Sequence, residues 1–187
     1  MERTARNGKT RFETLYEEYR LPVLAYCARR TGSSDAADVC AETFFVAWRR
    51  IDDIPEPPKA LPYLYRIAGN VLSNQLRTNR RHHRLAARLA GLGITPSHDP
   101  LNVVVQNSLD DAVVAAVRRL KPADREIVML AAWEDLPREA IAEMFGMSKA
   151  AVDQRIHRAY QRLARVLGPA LARDGLEFPP IATRGEA

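Results

Sequence analysis

Apolar residues recur every three or four positions through most of this 187-residue chain, and this period constrains the fold more than any other feature. That interval places side chains on one face of an α-helix, whereas a half-buried strand needs strict alternation of apolar and polar residues. Long alternating runs of β-branched residues do not occur in the sequence. The chain is therefore predicted to be all-α, with each helix burying one apolar stripe.

Proline, glycine and capping residues divide this pattern into separate helices. The predicted helices cover residues 11–30, 36–50, 62–89, 108–120, 123–134, 137–145 and 148–167. Pro22 is expected to kink or restart the first helix, because proline lacks the N–H that a helix interior uses. Asp35 is suited to cap the second helix. The segment 51–59, which is rich in proline, is predicted to be a loop.

Residues 90–107 separate two helical parts of the chain. Glycine, proline and serine cluster in this stretch, which predicts a flexible linker between two helical domains, 11–89 and 108–167. Domains of about 70–90 residues can each hold a modest core. The tail 168–187 has two adjacent prolines and no periodicity, so it is expected to be disordered.

Positive charge is concentrated in one part of the chain. The formal net charge is +5, and no Asp or Glu occurs between Pro57 and His98. A block of one sign that long usually faces a polyanion such as nucleic acid. A solvated charge run at the end of a helix is the alternative. The basic residues of this window are Lys59, Arg66, Arg77, Arg80, Arg81, Arg84 and Arg88.

Several classes of protein are disfavoured by what the sequence lacks. No run of 18 apolar residues predicts a membrane span, and the polar N-terminus has no apolar segment typical of a secretory signal, so we expect a cytoplasmic protein. Two cysteines, Cys27 and Cys40, are too few for a disulfide framework or a zinc site. They are predicted to be buried core thiols, with a redox or metal role as the lesser alternative. No cofactor or metal is expected.

The segment 137–157, PREAIAEMFGMSKAAVDQRIH, has the pattern of a helix-turn-helix. Ile141 is placed to pack the first helix inward, Gly146 permits the tight turn, and Val152 and Ile156 anchor the second helix. An ordinary helical hairpin is the alternative interpretation. The side chains predicted to face outward are those of Lys149, Ala150, Asp153, Gln154, His157 and Arg158.

Three sequence segments resemble one protein family. DAADVCAETFFVAWRR (35–50) and YLYRIAGN (63–70) resemble region 2 of the extracytoplasmic function (ECF) sigma factors. LKPADREIVML (120–130) and the residues up to Leu163 are similar to their region 4. Because the two regions stand in the family's order with a linker between them, the resemblance implies a sigma factor that directs RNA polymerase to promoters.

The resemblance implies specific partners. Asp38, Glu42 and Arg49 match positions that dock on the clamp helices of the polymerase β′ subunit, while Ala41 stands where the family often has Gln. Core RNA polymerase, through its β′ and β subunits, and promoter DNA, both duplex and single-stranded, are therefore the expected partners. An anti-sigma factor is left open as a further partner, and no membrane association is expected.

The third predicted helix carries the features needed for promoter melting. Asn70 matches a family position that helps hold unstacked bases, and the loop 52–61 matches the segment that shapes a pocket for a flipped base of the −10 element. Three prolines in that loop, and Tyr63 where Trp is commoner, depart from the family. Opening DNA needs polar groups for bases and a basic track for phosphates. The candidate residues are Asn70, Ser73, Asn74, Arg77, Arg80 and Arg81; at least one of Tyr63 and Tyr65 is expected in the core.

The last helix is predicted to read the −35 element as duplex DNA. Asp153 departs from the family, which commonly has Lys or Arg there. Its carboxylate could accept a hydrogen bond from a cytosine amino group, or it could simply repel phosphate, and both interpretations stay open. The candidate residues are Lys149, Asp153, Gln154, Arg155, His157 and Arg158.

Two other functions compete with the sigma factor. A helix-turn-helix regulator that does not act as a sigma subunit would need a sensor or dimerisation domain, which residues 1–90 do not resemble. An enzyme could use carboxylates such as Asp38 and Glu42 in acid–base catalysis. No nucleophile–base pair, phosphate-binding glycine loop or metal-ligand cluster accompanies them. The chain is therefore predicted not to be an enzyme.

Overall fold

The computed structural model describes residues 2–31, 33–89 and 108–173, and all of its regular elements there are helices. This confirms the all-α prediction. Two compact units form, with α1–α3 in the first and α4–α7 in the second, while the predicted linker 90–107 lies outside the described residues. The helices are α1 Glu2–Thr31, α2 Ser33–Arg49, α3 Ala60–Leu89, α4 Ser108–Arg118, α5 Pro122–Ala132, α6 Arg138–Phe145 and α7 Lys149–Arg173, with a 3₁₀ turn at Ile51–Asp53.

A stack of side chains joins α1 to α3 inside the first unit. The rings of Tyr26 and Tyr65 lie nearly parallel with their centroids 4.7 Å apart. The guanidinium of Arg30 lies 3.5 Å from the centroid of Tyr26 and donates a hydrogen bond to the Tyr26 carbonyl. A Cβ on Gly69 would come within 3.3 Å of the Tyr26 hydroxyl, so glycine lets α3 approach α1 closely. The expectation that Tyr63 or Tyr65 packs in the core is met by Tyr65, which is buried.

Two local predictions for the first unit differ from the structure. The first helix does not restart at Pro22, because the proline lies inside a continuous α1; a kink there stays a prediction. The lost hydrogen bond is offset by packing, because Val23 and Cys27, just beyond the proline, are completely buried. α2 begins at Ser33, so Asp35 lies in its first turn rather than at its cap, where its charge still favours the helix dipole.

Both cysteines of the first unit are free and buried, which confirms their prediction as core thiols. Burial raises the pKa of the Cys40 thiol above its usual value. Since the thiolate is the reactive form, a raised pKa keeps Cys40 in its unreactive state. These thiols therefore serve the packing of the helices.

The second unit contains the predicted helix-turn-helix. Ile141 and Ala142 of α6 and Val152 and Ile156 of α7 are buried, as the pattern predicts. Gly146 adopts a left-handed conformation (φ 63°) at the end of α6. Its N–H reaches the carbonyls of α6, so the turn satisfies backbone groups that the helix end would leave open.

The ends of α6 and α7 differ in part from their predictions. The Ser148 hydroxyl accepts the N–H of Ala151 at 3.2 Å, which confirms it as the cap of α7. Pro137 occupies the cap position of α6 rather than its first helical position. α7 continues through Pro169 to Arg173, so residues 168–173 are helical, contrary to the predicted disordered tail. Leu163 and Leu167 are buried and anchor the preceding turns; residues 174–187 lie outside the described residues.

We predict that two glycine substitutions in the second unit have different effects on stability. A Cβ at Gly146 or at Gly168 would meet no atom within 4 Å, but only Gly146 has a positive φ. Gly146→Ala should lower the free energy of unfolding by about 1 kcal/mol, because an L-residue is strained in that conformation. Gly168→Ala should leave it unchanged or raise it by up to about 1 kcal/mol, since alanine favours a helix.

Hydrogen exchange of the α5–α7 amides in the full chain measures both effects on the second unit alone. Neither position offers a steric cause, and only Gly146 has a positive φ. A similar loss of protection in both variants would therefore contradict the assignment of the Gly146 effect to backbone strain.

Candidate functional site

One exposed face of α2 brings together the three residues predicted to bind polymerase. Asp38, Glu42 and Arg49 are all exposed, and their spacing places them along one side of the helix. Phe45 lies between them on the same side and is 54% exposed, with the Arg49 guanidinium 5.9 Å from its ring centroid. Phe45 was not among the residues predicted from the sequence, although its position three residues after Glu42 and four before Arg49 indicates this face. We call these four residues the α2 face.

A cluster of aromatic rings holds α2 against α1. Phe12 meets Trp48 edge to face with centroids 5.1 Å apart, and Tyr16 meets Phe44 in the same way at 4.9 Å. Edge-to-face pairs have preferred geometries, so they fix the rotation of one helix against the other. This cluster therefore determines which residues α2 exposes.

A line of polar and basic side chains runs along the exposed side of α3. Its residues follow one another at intervals of three and four, opposite the buried Leu64, Ala68 and Leu72. The line spans about 22 Å of helix. We call it the α3 line, and its exposed members are Arg66, Asn70, Ser73, Asn74, Arg77 and Arg81.

The α3 line contains most of the residues predicted for the −10 element and adds one. Arg66 was not among them, although it stands four residues before Asn70; its guanidinium lies 4.5 Å from the ring centroid of Tyr63. The Ser73 hydroxyl donates to the Gly69 carbonyl at 2.8 Å, so its proton is used within the helix. The side chain of Arg80 lies outside the described residues.

The charge of the α3 line has a single sign. Its arginines lie in the stretch 57–98, which has no carboxylate, so no acidic residue of that stretch offsets them. Basic groups spaced along one face attract the phosphates of a nucleic acid, while the amides of Asn70 and Asn74 can both donate and accept hydrogen bonds. This arrangement can bind a nucleic-acid strand along its backbone and contact exposed bases.

Two ion pairs connect α6 to α7 at the predicted DNA-reading surface. The Lys149 ammonium lies 2.7 Å from the Glu139 carboxylate, and Arg138 Nε lies 3.4 Å from Asp153 Oδ1. The hydrogen bond between the first two lowers the pKa of Glu139 and raises that of Lys149. Arg138 was missed by the sequence analysis, because its partner lies on another helix.

Arg155 differs in position from the other residues predicted for the −35 element. Its guanidinium bonds the Asp124 carboxylate of α5 at 3.0 Å, and Arg162 approaches the same carboxylate at 3.9 Å. Arg155 therefore joins α7 to α5 and is only partly exposed. Gln154, His157 and Arg158 are exposed as predicted, with the His157 ring 2.8 Å from the Gln161 amide nitrogen.

The helices that the structure describes include none that is long and apolar enough to cross a membrane.

Two family models match the chain. Sigma-70 region 2 matches residues 15–82, which lie in the first unit, and Sigma-70, region 4 matches residues 110–163, which lie in the second. The region 2 match includes the α2 face and the whole α3 line, and the region 4 match includes α7 as far as Leu163.

Relatives and solved structures agree with these models. The chain is 30% identical to the RNA polymerase sigma factor NccH of Alcaligenes xylosoxydans over 77% of this chain and 80% of NccH. It is 29% identical to the ECF RNA polymerase sigma factor SigG of Mycobacterium tuberculosis over 91% of this chain. The sigma factor RpoE of Bartonella quintana, solved with the anti-sigma factor NepR, shares the fold with a TM-score of 0.66 and 20% identity, over 84% of this chain and 96% of RpoE.

The matched relatives differ in length. The chain spans 52% of SigG and only 31% of another matched sigma factor. With both conserved regions matched, and with NccH similar over most of its length, the chain belongs to the ECF subfamily of the sigma-70 family of RNA polymerase sigma factors.

Proposed function

We propose that this chain binds core RNA polymerase and directs promoter-specific initiation of transcription. The observation that carries this proposal is that one chain holds a region 2 match and a region 4 match in order, each on its own helical unit. A helix-turn-helix regulator that is not a sigma subunit would have no use for the region 2 unit, so that alternative loses its support. Sigma factors are non-catalytic, and we place this one in the cytoplasm, where polymerase and promoters are.

The α2 face is proposed to dock on the β′ clamp helices, with the second unit contacting the β subunit. An exposed aromatic ring surrounded by charged groups is typical of the centre of a protein interface. Phe45 has this setting, between Glu42 and Arg49. The aromatic ring would supply buried apolar area, and the charges would set the orientation of docking.

The α3 line is proposed to bind the melted −10 element. Arg66, Arg77 and Arg81 would bind phosphates along the strand, which gives affinity that depends on salt rather than on sequence. Asn70 and Asn74 lie between these arginines and would bond the edges of unstacked bases. Such bonds help offset the cost of unstacking, which is a few kcal/mol per base.

α7 is proposed to lie in the major groove of the −35 element. The N-terminal half of α7 contains the residues expected to reach base edges, which are Lys149, Gln154 and His157. Arg158 lies further along the helix, where contact with phosphate is expected. Asp153 gains a third interpretation from its ion pair with Arg138. Held by that guanidinium, the carboxylate would orient Arg138 toward phosphate instead of reading a base.

An anti-sigma factor is proposed as a further partner. RpoE, whose fold resembles that of this chain, was solved in complex with the anti-sigma factor NepR. A protein of this class would control the chain by covering surfaces that polymerase needs.

The proposed function predicts that the chain with core polymerase initiates at specific promoters, and that charge reversal on the α2 face prevents it. Asp38→Lys with Glu42→Lys should reduce core binding at least about 100-fold, since like charges at an interface cost several kcal/mol. Binding to labelled core polymerase and in vitro transcription measure both steps.

The matched control is Glu13→Lys with Glu17→Lys, which reverses two exposed charges one helical turn apart on α1. Both variants should keep the melting temperature of the parent, because exposed charges add little stability. Undiminished core binding by the α2 variant would contradict the docking assignment.

A second prediction separates base contacts from phosphate contacts on α3. Asn70→Ala should reduce open-complex formation about 10-fold while duplex binding changes little, because one hydrogen bond to an unstacked base is lost. Arg77→Ala should weaken both, and should lower the salt dependence by about one phosphate contact. Permanganate reactivity of −10 thymines reports opening, and a gel-shift titration reports binding. Equal losses from Asn70→Ala in both assays would indicate a folding defect instead.

A third prediction tests the Arg138–Asp153 pair. Asp153→Ala should change affinity for all −35 sequences alike, by no more than about fivefold, the range for an exposed ion pair. The effect should vanish when Arg138 is already alanine, as a double-mutant cycle would show. Arg158→Ala should weaken all sequences and reduce the salt slope by about 0.9. Relaxed selection at one base pair in Asp153→Ala would show that the carboxylate reads that base.

A further inference from the structure

The loop 51–59 between α2 and α3 has few backbone contacts of its own. Asp53 N–H bonds the carbonyl of Arg50, just before the loop, at 2.9 Å, and within the loop Lys59 N–H bonds the Glu56 carbonyl at 3.1 Å. Three of its nine residues are prolines, which have no N–H to donate. Ile54 is buried and anchors the middle of the loop, while most of its neighbours are exposed. The shape of the loop therefore depends on groups outside it.

One side chain from α1 supplies that support. Arg11 Nη1 donates to the Ile51 carbonyl at 2.9 Å, and Arg11 Nη2 donates to the Ile54 carbonyl. The same Nη2 pairs with Glu56 Oε1 at 2.8 Å. A single guanidinium thus bonds the beginning, the middle and the later part of the loop, from a position 40 to 45 residues earlier in the chain.

The geometry of these contacts requires arginine. The guanidinium is planar and holds its donors in a fixed fork, whereas lysine offers one compact ammonium on a flexible stem. Bonds from a charged donor are also stronger than neutral ones. The loop carries three acidic residues, Asp52, Asp53 and Glu56, just before α3. The ion pair with Arg11 compensates the negative charge of Glu56.

The loop leads directly into the α3 line. Tyr63 N–H bonds the Lys59 carbonyl at 3.2 Å, so the last residue of the loop caps the first turn of α3. A shift of residues 51–59 would therefore displace the surface next to Arg66 and Asn70. Arg11 contacts the segment that leads into this surface and is not itself part of the α3 line.

We propose that Arg11 is a positioning residue that determines which −10 bases the loop and α3 select. This proposal rests on the proposed function of the first unit as the −10 reader. Arg11 would act through the loop rather than by touching DNA, so its removal should change preference among bases more than overall affinity.

The test uses holoenzyme made from the full chain and two promoter libraries, one varied in the −10 element and one in the −35 element. Arg11→Gln should reduce the preference for the best −10 base at one or two positions by about 10-fold, because a neutral amide cannot replace the charge-assisted hydrogen bonds of Arg11. Arg11→Lys should act in the same direction, because the donors of an ammonium all sit on one nitrogen and cannot reproduce contacts made from two guanidinium nitrogens. Selection in the −35 library should stay unchanged.

A milder variant and a control show whether unfolding, and not the lost contact, explains the result. Glu56→Gln removes only the exposed end of the contact, since this side chain is 81% exposed, and should reduce the same −10 preferences about threefold. Lys9→Gln is the matched control: it breaks an exposed pair with Glu13, two residues from Arg11, and should change neither library.

The outcomes separate this proposal from the proposed function. If Arg11→Gln and Glu56→Gln lower initiation equally at all −10 sequences, or leave the preferences intact, Arg11 is a structural brace and the proposal is wrong, while the sigma function stands. If the parent holoenzyme initiates without any −10 preference, the proposed role of the first unit fails, and the proposal fails with it.

Discussion

The stack of Arg30, Tyr26 and Tyr65 is the contact on which the first unit depends. A buried guanidinium is costly unless its charge is compensated, and here the Tyr26 ring and its carbonyl both face it. Tyr65 lies on α3, so the stack fixes the rotation of α3 as well as its distance from α1. With Tyr65 turned inward, residues 66 and 70 must face outward. The set of residues that α3 exposes thus follows from a pair of rings that pack between α1 and α3.

The second unit uses an ion pair for the same purpose. Asp124 is mostly buried and holds Arg155 of α7 against α5. Because a rotation of α7 would break this bond, Arg155 fixes the direction in which its neighbours Gln154 and Arg158 face. Each unit therefore orients its proposed binding surface through a contact between its own helices.

Most of the fold and part of the site could be predicted from single-helix patterns. The burial of Val152 and Ile156, and the alignment of Asp38, Glu42 and Arg49, need only the helical period. Contacts between helices could not be predicted in this way. Arg155 stands at the edge of its apolar stripe, where the pattern does not fix whether a side chain faces solvent or a neighbouring helix.

The partners of Arg11 and Arg138 depend on how separate helices rotate and pack. Pro22 shows the same limit in the backbone, since α1 continues through the proline and buries Val23 and Cys27 just beyond it. The sequence thus predicts which residues lie on a surface, but it does not predict which of them form ion pairs or hydrogen bonds with another helix.

The pairing of positions 138 and 153 has a consequence for how such a domain could diverge. ECF sigma factors commonly carry Lys or Arg where this chain has Asp153, yet here a basic residue at that position would stand about where the carboxylate now meets Arg138, 3.4 Å away. Two like charges at that distance repel, so a change at one position is tolerated best after a change at the other. The two positions should thus change together, and a chain that acquired a basic residue at position 153 would first have to lose the positive charge at position 138.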